Sequence, residues 1–172
     1  MTFKIAQVGE AVLQQTAEQV SVFDTDLLNF INELKTTLIE ANGVGIAAPQ
    51  VFDSRAILII ASKPNVRYPN APDMPPLAMI NPKVEAQSKE QNQAWEGCLS
   101  VPGLRGFISR SNWVKVSYQN QIGEQQVIEL EGFVARIFLH EYDHLIGQTW
   151  LDHITSSKQV ISEALWYQKC SK

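Results

Sequence analysis

Apolar positions along this chain switch between two periods. From Thr25 to Ala41, Leu27, Ile31, Leu34 and Leu38 recur at intervals of four, three and four, which places them on one face of a helix. Asp24 or Thr25 can cap its start, and Asn42-Gly43 can end it. Ala56–Ser62 is a short apolar run rich in β-branched residues, the mark of a buried strand. Leu77–Gln87 reads as a second strand. Its Asn81-Pro82 predicts an edge or a bulge, because proline donates no ladder hydrogen bond. Trp113–Tyr118 and Gln126–Leu130 alternate at period two on either side of Gly123 and predict a hairpin. The helical period returns from Val134 to about Ile146, after Gly132 and before Gly147. Ser156–Lys169, with Val160, Ala164, Leu165 and Tyr167 apolar, predicts a last helix. Lys63–Pro76 holds five of the eight prolines and predicts an irregular loop, either a lid at a groove or surface variation. Strands gathered ahead of a late helix predict an α+β fold. Antiparallel β-strands would pack around a central helix, with one N-terminal and one C-terminal helix.

Composition narrows the functional classes. A chain of 172 residues suits a single domain, 1–172, with one core. Apolar residues make up 45% and charged residues 19%, with a net charge of -4. No Lys/Arg cluster supports direct nucleic-acid binding. The longest apolar stretch, Ala56 to Ala61, is too short for a membrane span, and no signal-peptide core follows Met1. Two cysteines, Cys98 and Cys170, allow one disulfide at most, so a reducing cytoplasm is the expected compartment. Cys170 reads as a free thiol without function, and Trp95, Trp113, Trp150 and Trp166 read as packing residues.

The candidate chemistry lies in the predicted central helix, at His140-Glu141-Tyr142-Asp143-His144. Four residues are close to one turn, so both imidazoles project from one face and can reach one metal ion. Glu141 lies beside them, where it can take a proton from an activated water. The plainer alternative is a solvated glutamate with two packed histidines. Phe138, Ile137, Leu145 and Ile146 surround the motif and argue for a sheltered site instead. A third ligand is needed, and three residues compete for it. His153 lies beyond Gly147. Glu163 follows His144 at a distance that suits a zinc endopeptidase. Cys98 lies upstream in Glu96-Gly97-Cys98-Leu99-Ser100 and offers a soft thiolate. Trp150 stands where a metzincin would place its third histidine.

Three segments in this order, Gly43-Val44-Gly45-Ile46-Ala47-Ala48-Pro49-Gln50, Glu96-Gly97-Cys98-Leu99-Ser100 and His140-Glu141-Tyr142-Asp143-His144, resemble the signature motifs of the peptide deformylase family. The likeness extends through Ser100-Val101-Pro102-Gly103, Leu145-Ile146-Gly147 and Leu151-Asp152-His153, and covers residues 5 to 155. It implies a metal-dependent hydrolase that removes the formyl group from the N-terminal methionine of nascent peptides and releases formate. It also implies Cys98, His140 and His144 as ligands of one divalent metal: Fe(II) in the cell, with Zn(II), Ni(II) or Co(II) as substitutes. Glu141 would be the proton carrier, and Gln50 with the Leu99 backbone N–H would stabilise the oxyanion. Gly45 would let the substrate backbone approach. Val44, Phe133, Ile137 and His140 would wall the methionine pocket. Arg105 would either touch substrate or form a surface ion pair. Asp143 and Glu96 would support the ligands, and His153 would pack or cap. The expected partners are formyl-methionyl nascent peptides and, transiently, the ribosome. A zinc endopeptidase using His140, His144 and Glu163, or a catalytically idle metal-binding homologue, are the other readings. The chain departs from the family pattern at Leu139, where Gln is usual, and at Ile46, where Leu is common. Its C-terminal region has only Lys158, Lys169 and Lys172 as basic residues, which weakens docking through a basic tail.

Overall fold

The computed structural model describes residues 2–65 and 67–170, without the side chain of Cys170. The expectation for the Cys170 thiol therefore lies outside the described residues. Helix α1 spans Thr25–Glu40, and the Asp24 side chain accepts from the Leu27 N–H at its first turn. Its stripe of Leu27, Ile31, Leu34 and Leu38 is buried as the spacing predicts. The chain leaves the helix through Asn42, at φ 51°, and Gly43.

Five strands follow in one antiparallel sheet of order β1-β2-β3-β6-β7: β1 (Gly45–Ala47), β2 (Ile57–Ser62), β3 (Met74–Gln87), β6 (Trp113–Gln119) and β7 (Gln125–Glu131). A second antiparallel sheet, of order β4-β5-β8, holds β4 (Gln91–Cys98), β5 (Val101–Ser111) and β8 (Val160–Ser162). Helix α2 (Gly132–Leu145) packs its Ala135, Ile137, Phe138 and Leu145 with Leu58, Ile60, Met79 and Val116. Helix α1 packs with Ile57, Ile59 and Ile80. Strand β2 is thus covered on both faces, with alternate residues facing different helices. That is why its sequence is a continuous apolar run and not an alternation.

Three expectations about elements need correction. The strand predicted from Leu77 begins at Met74, because Met74 pairs with Ser62 across an irregular register in β2. The tail of the proline-rich segment is therefore strand and not loop. The predicted helix Ser156–Lys169 is broken into a short turn at Ser157–Gln159, strand β8 and helix α3 (Glu163–Cys170). Val160, Ile161 and Ser162 pair with Gly106, Arg105 and Leu104, so ladder hydrogen bonds to β5 override the local helical preference. The β4–β5 hairpin has no counterpart in the predicted elements. Its strands are rich in glycine and polar residues and bury arginines, so they carry no apolar alternation. The bulge expected at Asn81-Pro82 is present, with a register shift between Ile80 and Lys83 and Asn81 at φ 51°.

No helix among the described residues is long and apolar enough to cross a membrane. The N-terminal segment ties two turns together: the Ala6 N–H donates to the Gln50 carbonyl, and the Val8 N–H donates to the Ser100 carbonyl.

Candidate active site

Helix α2 brings His140 and His144 to one face, with ring centroids 5.4 Å apart. The end of β4 brings Cys98 against them, its Sγ 3.3 Å from His144 Nε2. One donor atom from each of the three residues lies within 4.8 Å of the others. Bonds of about 2.0–2.3 Å to a shared centre are compatible with that spacing. His140 Nδ1 lies 2.9 Å from Glu96 Oε2, which fixes the tautomer and turns Nε2 toward the cluster. The donor set of one thiolate and two imidazoles therefore fits a divalent transition metal.

Glu141 is buried beside the cluster, and its Oε2 has no hydrogen-bond partner in the protein. Burial pushes its carboxyl up to about 7, against the lowering influence of His140. Burial would lower His140, but Cys98, Glu96 and Glu141 more than offset it, leaving the ring well above its ordinary value. Burial, with His140 and Arg110, holds His144 well below its ordinary value. Gly45 lies against Glu141: a Cβ there would stand 2.4 Å from Glu141 Oε1. The room that glycine leaves in this structure is occupied by the Glu141 carboxylate, where the sequence suggested space for a substrate backbone.

Gln50 sits in the helical turn Ala48–Val51 that follows β1. Its Oε1 accepts from the Ala47 N–H at 2.8 Å. That orients Nε2 toward Ser100 Oγ at 3.2 Å and Cys98 Sγ at 3.5 Å. Leu99 and Ser100 form the turn between β4 and β5. A cleft of about 250 Å³ opens onto these groups. Its lining includes every residue suggested for substrate contact: Val44, Gly45, Arg105, Phe133 and Ile137, together with Gln50, Leu99, His140 and Glu141.

Arg105 is not the surface ion pair that was one expectation. It is 1% exposed, pairs with Glu163 Oε1 at 2.9 Å, donates to Tyr68 Oη at 3.2 Å and lies 3.9 Å from the Trp166 ring. Burial works to lower its pKa, and Tyr68 and Glu163 more than compensate. Gly97 makes room for this guanidinium, which a Cβ would approach to 3.2 Å. Glu163 is thereby committed to Arg105 and does not join the histidines, which removes the basis for an endopeptidase ligand set. His153 is exposed, and its Nε2 lies 2.8 Å from Asp143 Oδ2, outside the Cys98–His140–His144 cluster.

A buried ion network lies behind His140. Arg110 donates from Nε and Nη2 to the two oxygens of Glu96, both at 3.0 Å, and from Nη1 to Asp143 at 2.7 Å. Arg136 donates to Glu96 at 2.7 Å. Burial opposes ionisation of Glu96, yet His140 and Arg110 hold its carboxyl well below the usual carboxylate range. Sequence reasoning missed both arginines, although Arg136 interrupts an apolar helical stretch one turn before His140, which signals a buried partner. It also missed Tyr68 and assigned Trp95 to packing. Both line the cleft, and Tyr68 packs on Phe133 at 4.8 Å. The proline-rich segment thus supplies part of the cleft wall. Leu139, which replaces the usual Gln, packs against the core beneath α2.

Comparison with known proteins places this geometry among close relatives. Residues 2–160 match the family model for polypeptide deformylase. The chain is 45% identical over 169 residues to peptide deformylase 2 of Nostoc sp., covering 98% of this chain and 94% of that one. It is 48% identical over 155 residues to peptide deformylase 2 of Shewanella oneidensis, covering 90% and 86%. Among solved structures it is similar to the Met-Ala-Ser-bound class I type b peptide deformylase from Acinetobacter baumannii. The TM-score is 0.88 at 41% identity, covering 90% of this chain and 99% of that one.

Proposed function

The chain belongs to the polypeptide deformylase family, a metal-dependent hydrolase that removes the formyl group from N-terminal methionine, and on that premise we propose a role for each residue of its cleft. Cys98, His140 and His144 hold one divalent ion, Fe(II) in the cell, with Zn(II), Ni(II) or Co(II) able to replace it. When bound, such an ion lowers the pKa of a coordinated water and so supplies hydroxide near neutral pH.

The remaining chemistry belongs to the protein. Glu141 takes the proton from the attacking water and returns it to the departing amine, a task for the buried carboxylate beside the two imidazoles, whose Oε2 has no partner in the protein. Gln50 Nε2, locked by Ala47 and aimed past Ser100 and Cys98, donates to the oxygen that becomes negative during attack on the formyl carbon. The Leu99 N–H acts with it. Glu96 fixes His140, and Arg110 and Arg136 keep Glu96 charged. The methionine side chain lies against Val44, Phe133 and Ile137, and Gly45 keeps the Glu141 carboxylate in place. The Acinetobacter relative holds Met-Ala-Ser, a peptide with methionine at its N-terminus. By analogy the extended substrate runs along the Gly43–Gly45 edge. The protein acts as one catalytic domain in the cytoplasm on nascent formyl-methionyl chains, with transient ribosome contact.

The observation that carries this reading is the convergence of one sulfur and two imidazoles beside a buried, unpartnered carboxylate. Formate release from formyl-Met-Ala-Ser by anaerobically prepared protein tests it. Glu141→Gln should keep the metal and lose about 10²–10⁴ in kcat. A Glu141→Gln protein as active as the parent would remove Glu141 from the mechanism.

A further inference from the structure

The C-terminal segment closes one side of the cleft. Its Glu163, Trp166 and Tyr167 close around Arg105. Strand β8 fastens the segment to the hairpin that carries Cys98, because Ser162 pairs with Leu104 and Ile161 with Arg105. Glu163 follows directly and lines the cleft. The two members of the Arg105–Glu163 pair face different surroundings. The guanidinium is sealed under Trp166, with its side chain 1% exposed, whereas the Glu163 side chain is 35% exposed. Only Glu163 Oε1 is bonded to Arg105. Both residues line the cleft, and the carboxylate is the more accessible of the two.

The other charges lining the cleft are accounted for. Glu96 and Arg136 are paired with each other, and Glu141 stands at the metal end. Arg67 lies on the Asn42 side, where it donates to the Asn42 carbonyl, and also lines an adjoining cavity beside Leu38 and Met74. Among the described residues the outer cleft thus presents one accessible anion, Glu163, and one accessible cation, Arg67.

We propose that Glu163 is a specificity-determining residue that reads the charge of the substrate beyond its methionine, favouring Lys or Arg over Asp or Glu. This rests on the deformylase reading above. The C-terminal segment would then tune substrate choice from the side of the cleft that it closes. Exposed ion pairs are worth little, so the discrimination is modest: about twofold to fivefold in kcat/KM. It should appear in KM, because the contact is the same before and during reaction.

The test compares formyl-Met-Ala-Lys, formyl-Met-Ala-Gln and formyl-Met-Ala-Glu on metal-loaded full-length protein. Glu163→Gln should lower the Lys-to-Glu ratio of kcat/KM by about twofold to fivefold, and Arg67→Gln should raise it. On the unmodified protein, added salt should depress kcat/KM for the Lys peptide more than for the Gln peptide. A ratio unmoved by Glu163→Gln, or equal salt responses for the two peptides, overturns the inference. Failure of the unmodified protein to release formate from formyl-Met-Ala-Ser would instead remove the functional reading itself.

Discussion

At the scale of single residues, the closest tolerance in the site is between Gly45 and Glu141. A methyl group at position 45 would need space that the Glu141 carboxylate holds, at 2.4 Å from Oε1. The backbone there belongs to a buried strand with no positive φ, so alanine suits the conformation and the clash must move the side chain of Glu141. Displacement of a catalytic group by about 1 Å can cost about 10²-fold in rate. Gly45→Ala should therefore fold, keep its metal by elemental analysis and lose about 10²-fold in kcat; unchanged kcat would show that Glu141 has another productive position. Glu96 gives a second case. It is the acceptor for His140 Nδ1, and losing a partner of this kind weakens metal affinity by about 10–100-fold. Glu96→Gln should show that loss in chelator competition with Co(II)-loaded protein. An unaltered affinity would leave His140 oriented by α2 alone.

At the scale of elements, the β4–β5 hairpin is joined to α2 by charge where β2 is joined to it by hydrocarbon. Arg110 and Glu96 come from the hairpin, and Arg136 and Asp143 from the helix, all nearly buried. Removing one partner leaves its fellows charged and unpaired, at a cost of about 3–5 kcal/mol. Arg110→Met should lose stability on that scale in urea unfolding. Because the Glu96 carboxyl is held below its ordinary value of 4.5, its contribution is fully present above that pH. It is lost as pH falls toward the folded-state value. The midpoint of the metal-free protein should therefore fall on acidification from about pH 6 to about pH 3, and less steeply in Glu96→Gln. The same arrangement explains what the sequence conceals. Helix α1 and the β6–β7 hairpin bury apolar residues and betray themselves by periodicity, and β2 does so by an unbroken apolar run. Cys98, His140, Glu141, His144 and Gln50 are legible because they sit in contiguous motifs. The hairpin instead buries arginines whose partners lie tens of residues away, and β8 exists only because Arg105 and its neighbours offer it an edge. Pairings of that kind leave no local pattern to read.

At the scale of the whole molecule, the three proposed ligands connect the two sheets. His140 and His144 ride on α2 against the five-stranded sheet, while Cys98 ends a strand of the other sheet. The N-terminal segment spans the same junction from outside, holding the Gln50 turn through Ala6 and the Ser100 turn through Val8. An ion bound by all three side chains would act as a cross-link through the centre, and its binding energy would appear as stability. Ligand at about 100 times its dissociation constant adds about 2.7 kcal/mol. At about 2–4 °C per kcal/mol for a chain of this size, that is a rise in Tm of roughly 5–11 °C. Differential scanning calorimetry of nickel-loaded and chelated protein should show that difference in the parent. In Cys98→Ala most of it should vanish, because two imidazoles remain on one helix and no longer tie it to β4. A difference that persists undiminished in Cys98→Ala would mean that the ion is held by the helix alone, and that the two halves of the site are joined by the Glu96 ion network instead.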